Sequence, residues 1–99
     1  MIHVLAVITA HPGKRAALMA RQRQMLPEVR AEKGCVEYLP TIDGETSPAT
    51  FGSDIVVVIE KWETREDFAA HATAPHVAAY RADIKDLMAK IEIHVLQEG

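Results

Sequence analysis

The sequence predicts an α+β protein in which helices cover one face of a four-stranded antiparallel sheet. Strand-like segments rich in β-branched residues alternate with segments of helical periodicity in the order β-α-β-β-α-β, the ferredoxin-like arrangement. The apolar fraction of 48% in 99 residues is also enough for one hydrophobic core. We therefore expect residues 1–99 to form a single domain.

The four strands differ in how clearly the sequence marks them. They are predicted at residues 2–10, 35–42, 54–62 and 91–96. The first is apolar on both alternating faces and ends at His11-Pro12-Gly13. The second contains Pro40, which suits the edge of a sheet, whereas the third, DIVVVIEKW, has the strongest strand pattern. Residues 43–53 are rich in turn residues and predict a long hairpin loop between these two strands.

Three helical segments are predicted, at about residues 14–32, 65–72 and 75–89. The first has an apolar stripe formed by Leu18, Met25, Leu26 and Val29. Pro27 lies inside this segment and predicts a kink or a split, because proline lacks a backbone donor. Thr64 is a candidate N-cap for the second segment, and Pro75 opens the third, which is expected to point Met88 inward.

The sheet has a second face that helices on one side cannot cover. The first and third strands are apolar on both alternating sets of side chains, including Leu5 and Val7 in one and Val57 and Ile59 in the other. An uncovered apolar face of this kind favours burial against a partner, and a second copy of the same sheet is the simplest one. The pattern therefore predicts a homodimer with two sheets packed face to face.

Charge and cysteine content exclude several classes of protein. Eleven basic and fourteen acidic residues give a net charge of -3, and no basic run exists that could neutralise a row of phosphates. We therefore expect no nucleic-acid partner. Cys35 is the only cysteine, which suits a reducing compartment. No signal-peptide pattern or run of about 20 apolar residues is visible, so we expect a cytoplasmic protein without a membrane partner.

Glu60 and Trp62 are the first candidates for chemistry. They share one face of the third strand with Val56 and Val58, so the carboxyl is expected among apolar neighbours that raise its pKa. Glu60 is then either a general base or substrate anchor, or a structural carboxylate that caps a helix or pairs with an arginine. Trp62 is either a pocket wall or a core residue.

His71 and His76 are the second pair of candidates. They lie five residues apart with Pro75 between them, whereas zinc-binding pairs on one helix use a spacing of four. Convergence of both with Glu60 on a metal is possible in space, but the spacing favours no metal. The glycines are isolated and form no phosphate-binding loop, so the sequence also predicts no flavin or nicotinamide cofactor.

Three segments together resemble one known family. HPGKRAALMA, AEKGCVEY and VVIEKWETREDFAAHATAPHVAAY occur in this order and are similar to the antibiotic biosynthesis monooxygenase family of dimeric α+β barrel proteins. The resemblance implies a homodimer, a pocket between sheet and helices in each subunit, and oxidation of a small phenolic, quinol or polyketide-like aromatic compound by molecular oxygen without a cofactor. It implies His71 and Glu60 as the catalytic residues, with Glu60 orienting. The implied substrate contacts are Trp62, Tyr38, His76 and Phe68.

Other functions remain open on the same fold. One is a small-ligand-binding or stress-response protein without turnover, and another is an isomerase or lyase that moves protons through Glu60 or His71. A haem-degrading branch of similar fold uses an asparagine on the first strand and a histidine deep in the second helix. This chain has no asparagine, and Arg81 stands near that histidine position, which argues against haem degradation.

Overall fold

The computed structural model describes residues 1–99 and contains seven regular elements. In chain order they are β1 (Ile2–Ala10), α1 (Arg15–Arg30), β2 (Cys35–Thr41), β3 (Ile55–Trp62), α2 (Arg65–Ala72), α3 (Pro75–Ile84) and β4 (Met88–Leu96). The strands form one antiparallel sheet in the order β2-β3-β1-β4. The predicted ferredoxin-like α+β fold is therefore confirmed, and the helical part between β3 and β4 consists of two helices, as predicted.

The helix-covered face of the sheet carries the hydrophobic core. On β1 the buried side chains are Val4, Ala6, Ile8 and Ala10, and on β3 they include Val56, Val58, Glu60 and Trp62. Period-two alternation puts each of these sets on one face. Glu60 therefore lies in line with Val58 on the covered face, as predicted, with Tyr38 of β2 as its cross-strand neighbour.

Helix α1 packs on this face through a regular stripe formed by Leu18, Gln22, Met25 and Val29, all of which are buried. The sequence analysis missed Gln22 and included Leu26, which is only partly buried. Pro27 does not split the helix, which continues to Arg30. A proline one turn before the helix end removes a single hydrogen bond, and burial of Val29 holds the last turn on the core.

Helices α2 and α3 meet at the predicted break. The Thr64 Oγ1 atom accepts a hydrogen bond of 3.1 Å from the Asp67 N–H, which confirms the N-cap, and α3 begins at Pro75. The predicted extension of the last helix to Ala89 is wrong, because α3 ends at Ile84 and Met88 begins β4 opposite Ala10. Pairing with β1 outweighs the helix propensity of residues 85–89, which is a weak preference when tertiary contacts compete.

The second face of the sheet has no helix over it. Leu5 and Val7 are only partly buried there, and Leu39 is 44% exposed. On β4 this face changes to polar side chains, Lys90, Glu92 and His94, which lie opposite Thr9, Val7 and Leu5. The apolar part of the face is thus centred on β1 and β3. No helix of the chain is long and apolar enough to cross a membrane.

Candidate active site

A cavity of about 180 Å³ lies between the sheet and the helices. Eleven of its 15 lining residues are hydrophobic, and the other four are Gln22, Glu60, His71 and Arg81. Among the lining residues, Arg81 on α3 and Ile91 and Ile93 on β4 are exposed. The mouth of the cavity therefore lies between α3 and β4. The closed end lies two strands away, under β2 and β3, where Tyr38, Glu60 and His71 meet.

The Glu60 carboxyl is buried in this closed end, with 4% of the residue exposed. Its Oε1 atom accepts a hydrogen bond of 3.0 Å from the Trp62 indole N–H, and no arginine pairs with it. Burial raises the pKa of Glu60 to about 7, although the hydrogen bond from Trp62 acts in the opposite direction. A carboxyl with this pKa is present in both protonation states at neutral pH, so it can accept or donate a proton.

His71 lines the same end of the cavity, and a hydrogen bond to Glu32 fixes its ring. Its Nδ1 atom lies 2.9 Å from Glu32 Oε2. An ionised carboxylate can only accept, so Nδ1 carries the proton and Nε2 is left as an acceptor that makes no hydrogen bond within the chain. Burial lowers the pKa of His71, despite the opposing hydrogen bond to Glu32. The ring is thus neutral and competent to accept a proton.

Glu32 is the residue that joins the two histidines, and the sequence analysis did not find it. The same Oε2 atom that contacts His71 lies 2.7 Å from His76 Nε2, and His76 Nδ1 lies 4.0 Å from Glu28 Oε2. His71 and His76 therefore converge on Glu32 and not on Glu60. Glu32 follows α1 and is 39 and 44 residues from its partners, so no local spacing indicates it.

Three of the four predicted substrate contacts do not line the cavity and lie behind the residues that do: Trp62, Phe68 and His76. Trp62 is fully buried in the core, with its ring centroid 4.7 Å from that of His71. The Phe68 ring stacks on His71 at a centroid distance of 6.3 Å. These aromatic rings hold His71 in place, and Tyr38 alone of the four predicted contact residues lines the cavity.

Two further polar side chains in the cavity wall lack part of their hydrogen bonding. Gln22 Nε2 donates to the Tyr38 hydroxyl at 2.8 Å, but Gln22 Oε1 and the Tyr80 hydroxyl are buried without a partner. Burial raises the pKa of Tyr80 to about 12 and that of Tyr38 further still, so both hydroxyls stay protonated. A polar residue within the apolar stripe of α1 was the sequence signal for Gln22. Unsatisfied buried groups of this kind are suited to a polar ligand.

The fold and the cavity define a small α+β protein with a mostly apolar pocket that contains a carboxyl and a histidine. Residues 1–83 match the sequence model of the family described as antibiotic biosynthesis monooxygenase. The chain belongs to this family, as its resemblance in three segments predicts.

Individual relatives agree with this assignment over nearly the whole chain. The Escherichia coli protein named "Probable quinol monooxygenase YgiN" is 33% identical over 103 residues, which cover 100% of this chain and 99% of the relative. Among solved structures, PA3566 from Pseudomonas aeruginosa has a TM-score of 0.83 at 26% identity, and the match covers 98% of this chain and 92% of the PA3566 chain. Rv0793 from Mycobacterium tuberculosis has a TM-score of 0.82 at 26% identity, and the match covers 98% of this chain and 93% of the Rv0793 chain.

Proposed function

We propose that the protein is a cofactor-independent monooxygenase that oxidises a small phenolic, quinol or polyketide-like aromatic compound with molecular oxygen. The observation that carries the proposal is the juxtaposition of Glu60 and His71 at the closed end of an apolar cavity. Membership of the family and the printed name of the Escherichia coli relative support the same reaction class.

The proposed chemistry begins with removal of a proton from a ring hydroxyl. The free Nε2 atom of His71 accepts this proton, and the resulting phenolate donates electrons to oxygen directly. For a phenol with a free ring position, a C–O bond forms and the C–H and O–O bonds break. The products are a quinone and one water molecule, and the four electrons that oxygen takes come from the substrate.

Glu60 is proposed to orient the substrate during this step. Because its pKa is about 7, Glu60 can donate a hydrogen bond to the phenolate when protonated or accept one from a second hydroxyl when ionised. Gln22 Oε1 and the Tyr80 hydroxyl are free to contact a further oxygen of the substrate. The apolar remainder of the cavity keeps water away from the anion, which strengthens these contacts.

The decisive experiment follows oxygen consumption with a series of phenols and hydroquinones, with and without a chelator. Chelator-insensitive uptake is expected, and His71→Ala should lower kcat at least about 100-fold because general-base catalysis contributes 10²–10⁴. His11→Ala, which changes an exposed loop histidine, is the control and should keep full activity. Full activity of His71→Ala would remove this residue from the mechanism.

The same assay separates the alternative functions. Turnover under nitrogen as fast as under air would indicate an isomerase or lyase that moves protons through Glu60 or His71. Thermal stabilisation by a ligand without any product would indicate a binding protein.

We also propose that the protein is a homodimer whose sheets pack face to face. The supporting observation is the apolar second face, on which Leu5, Val7 and Ile59 are only partly buried and Leu39 is exposed. Its polar margin on β4 suits the rim of an interface, since interface cores are depleted in charge and rims are polar.

A further inference from the structure

We infer that Glu32 and His76 form a proton relay that connects His71, at the closed end of the cavity, to solvent on the side away from the cavity mouth. The inference rests on the proposed function, because it concerns the proton that His71 removes from the substrate. It assigns a role to two residues that do not line the cavity.

Two hydrogen bonds join three titratable groups, and a fourth lies just beyond them at the surface. Glu32 Oε2 lies 2.9 Å from His71 Nδ1 and 2.7 Å from His76 Nε2, both within hydrogen-bonding distance. His76 Nδ1 then lies 4.0 Å from the carboxylate of Glu28. Side-chain exposure rises along this series from 9% at His71 to 13% at Glu32, 19% at His76 and 62% at Glu28. The series therefore runs from the interior to the surface.

The position of the mouth favours a second route between His71 and solvent. The mouth lies beside β4, whereas Tyr38 and Glu60 mark the closed end under β2 and β3. Two strand spacings separate β3 from β4, about 10 Å. A substrate bound against His71 Nε2 would lie between this atom and the bulk water at the mouth. Glu32 lies on the opposite edge of the same imidazole ring.

Among the neighbours of His71, Glu32 favours a cationic ring, through its hydrogen bond and its charge, and the other influences oppose it. Burial opposes a cationic ring, and the positive charge of Arg81 and the proximity of His76 also disfavour it. Glu60 lines the same end of the cavity, and the Tyr38 ring centroid lies 5.6 Å from that of His71, but only Glu32 accepts a hydrogen bond from the ring. An imidazolium formed during turnover therefore has one acceptor for its second proton.

The transfer steps balance. The substrate hydroxyl gives its proton to His71 Nε2, and His71 Nδ1 gives its own proton to Glu32 Oε2. His76, doubly protonated between the carboxylates of Glu32 and Glu28, donates from Nε2 to Glu32, and its Nδ1 proton passes to water beside Glu28 when Glu32 gains the proton of His71. His71 Nε2 later gives its proton to the reduced oxygen that leaves as water, Glu32 returns a proton to His71 Nδ1, and His76 regains its proton from water, so all three groups end the cycle as they began.

The test uses Glu32→Gln, which keeps the size of the side chain and an acceptor oxygen but cannot carry a proton. With the hydroquinone that the wild-type protein oxidises best, kcat should fall about tenfold or more while KM stays within about twofold. The solvent deuterium isotope effect on kcat should rise, because proton release then limits the rate. Glu66→Gln, which changes an exposed carboxyl of α2 outside this series, is the matched control and should stay close to wild type.

A second variant keeps the inference testable if Glu32→Gln does not fold. His76→Ala removes the outer relay group, and added imidazole should restore kcat in this variant but not in His71→Ala. An active wild-type protein with unchanged kcat and isotope effect in both relay variants would overturn the relay and leave the proposed function standing. A wild-type protein that consumes no oxygen with any phenol or hydroquinone would instead overturn the proposed function, and the relay with it.

Discussion

At the scale of single residues, the protonation of the buried Glu60 carboxyl affects the stability of the folded protein. Glu60 has a pKa of about 7 in the folded protein, against 4.5 ordinarily, because burial disfavours the carboxylate. The folded state therefore binds more protons than the unfolded state between these two values. Stability should fall as pH rises through this window and become constant above it.

Replacing Glu60 by Gln removes this dependence. The free energy of unfolding of Glu60→Gln, relative to wild type, should rise by up to about 3 kcal/mol between pH 4.5 and 7.5, since one pKa unit corresponds to about 1.4 kcal/mol. Urea unfolding followed by circular dichroism across this range measures the difference. Glu45→Gln in the exposed hairpin loop is the control and should track wild type at every pH. A constant difference for Glu60→Gln would contradict the raised pKa.

The two cavity tyrosines should respond differently to loss of the hydroxyl. The Tyr80 hydroxyl is buried without a partner, so Tyr80→Phe should leave stability unchanged or raise it by about 1 kcal/mol. The Tyr38 hydroxyl accepts from Gln22, and Tyr38→Phe should lower stability by about 1–2 kcal/mol by leaving that donor buried and unpaired. Thermal denaturation tests both. If Tyr80 contacts substrate, its variant also raises KM, and equal destabilisation of both variants would refute this distinction.

At the scale of the secondary-structure elements, the turn between α1 and β2 depends on Gly34. Its φ is +80°, and a Cβ atom there would lie 2.1 Å from Asp67 Oδ2 on α2. This close approach brings the turn after α1 into contact with the first turn of α2. A hydrogen bond of 2.8 Å from the Glu63 N–H to the Gly34 carbonyl reinforces this contact. Glu32 in the same turn is thereby held beside His71.

Gly34→Ala should therefore destabilise the protein by about 2–3 kcal/mol, the left-handed backbone accounting for about 1–2 and displacement of Asp67 for the rest. Gly13→Ala isolates the backbone contribution, because Gly13 also has a positive φ but no atom within 4 Å of an added Cβ. Chemical denaturation of both variants gives the comparison. Equal losses for the two variants would show that the contact with Asp67 contributes nothing.

At the scale of the whole molecule, the uncovered apolar face predicts the state of association. Ile59→Lys would place an unpaired charge in the middle of the proposed interface, which should weaken the dimer by about two orders of magnitude or more. Light scattering at micromolar concentration should show a dimer for wild type and a monomer for this variant. Ala69→Lys, on the exposed surface of α2, should remain dimeric. A monomeric wild type would refute the proposal.

Local patterns predicted most of the fold because each pattern has a local cause. Alternation in β3, the cap at Thr64 and the break before Pro75 are set by side chains within a few residues of one another. The start of β4 at Met88 was missed because only pairing with Ala10, far away in the chain, decides it. Local propensity at residues 85–89 favours a helix, and tertiary contacts outweigh it.

The sequence by itself determined the order of the elements, the family, and the burial of Glu60 among valines, since alternation and the quoted segments are properties of neighbouring residues. Only the tertiary structure decided that Trp62 and Phe68 lie behind the cavity wall, that Gln22 and Tyr80 face into it, and that Glu32 joins His71 to His76. These relations depend on how helices dock on the sheet. Contacts between residues that lie dozens of positions apart in the chain leave no periodic pattern in the sequence.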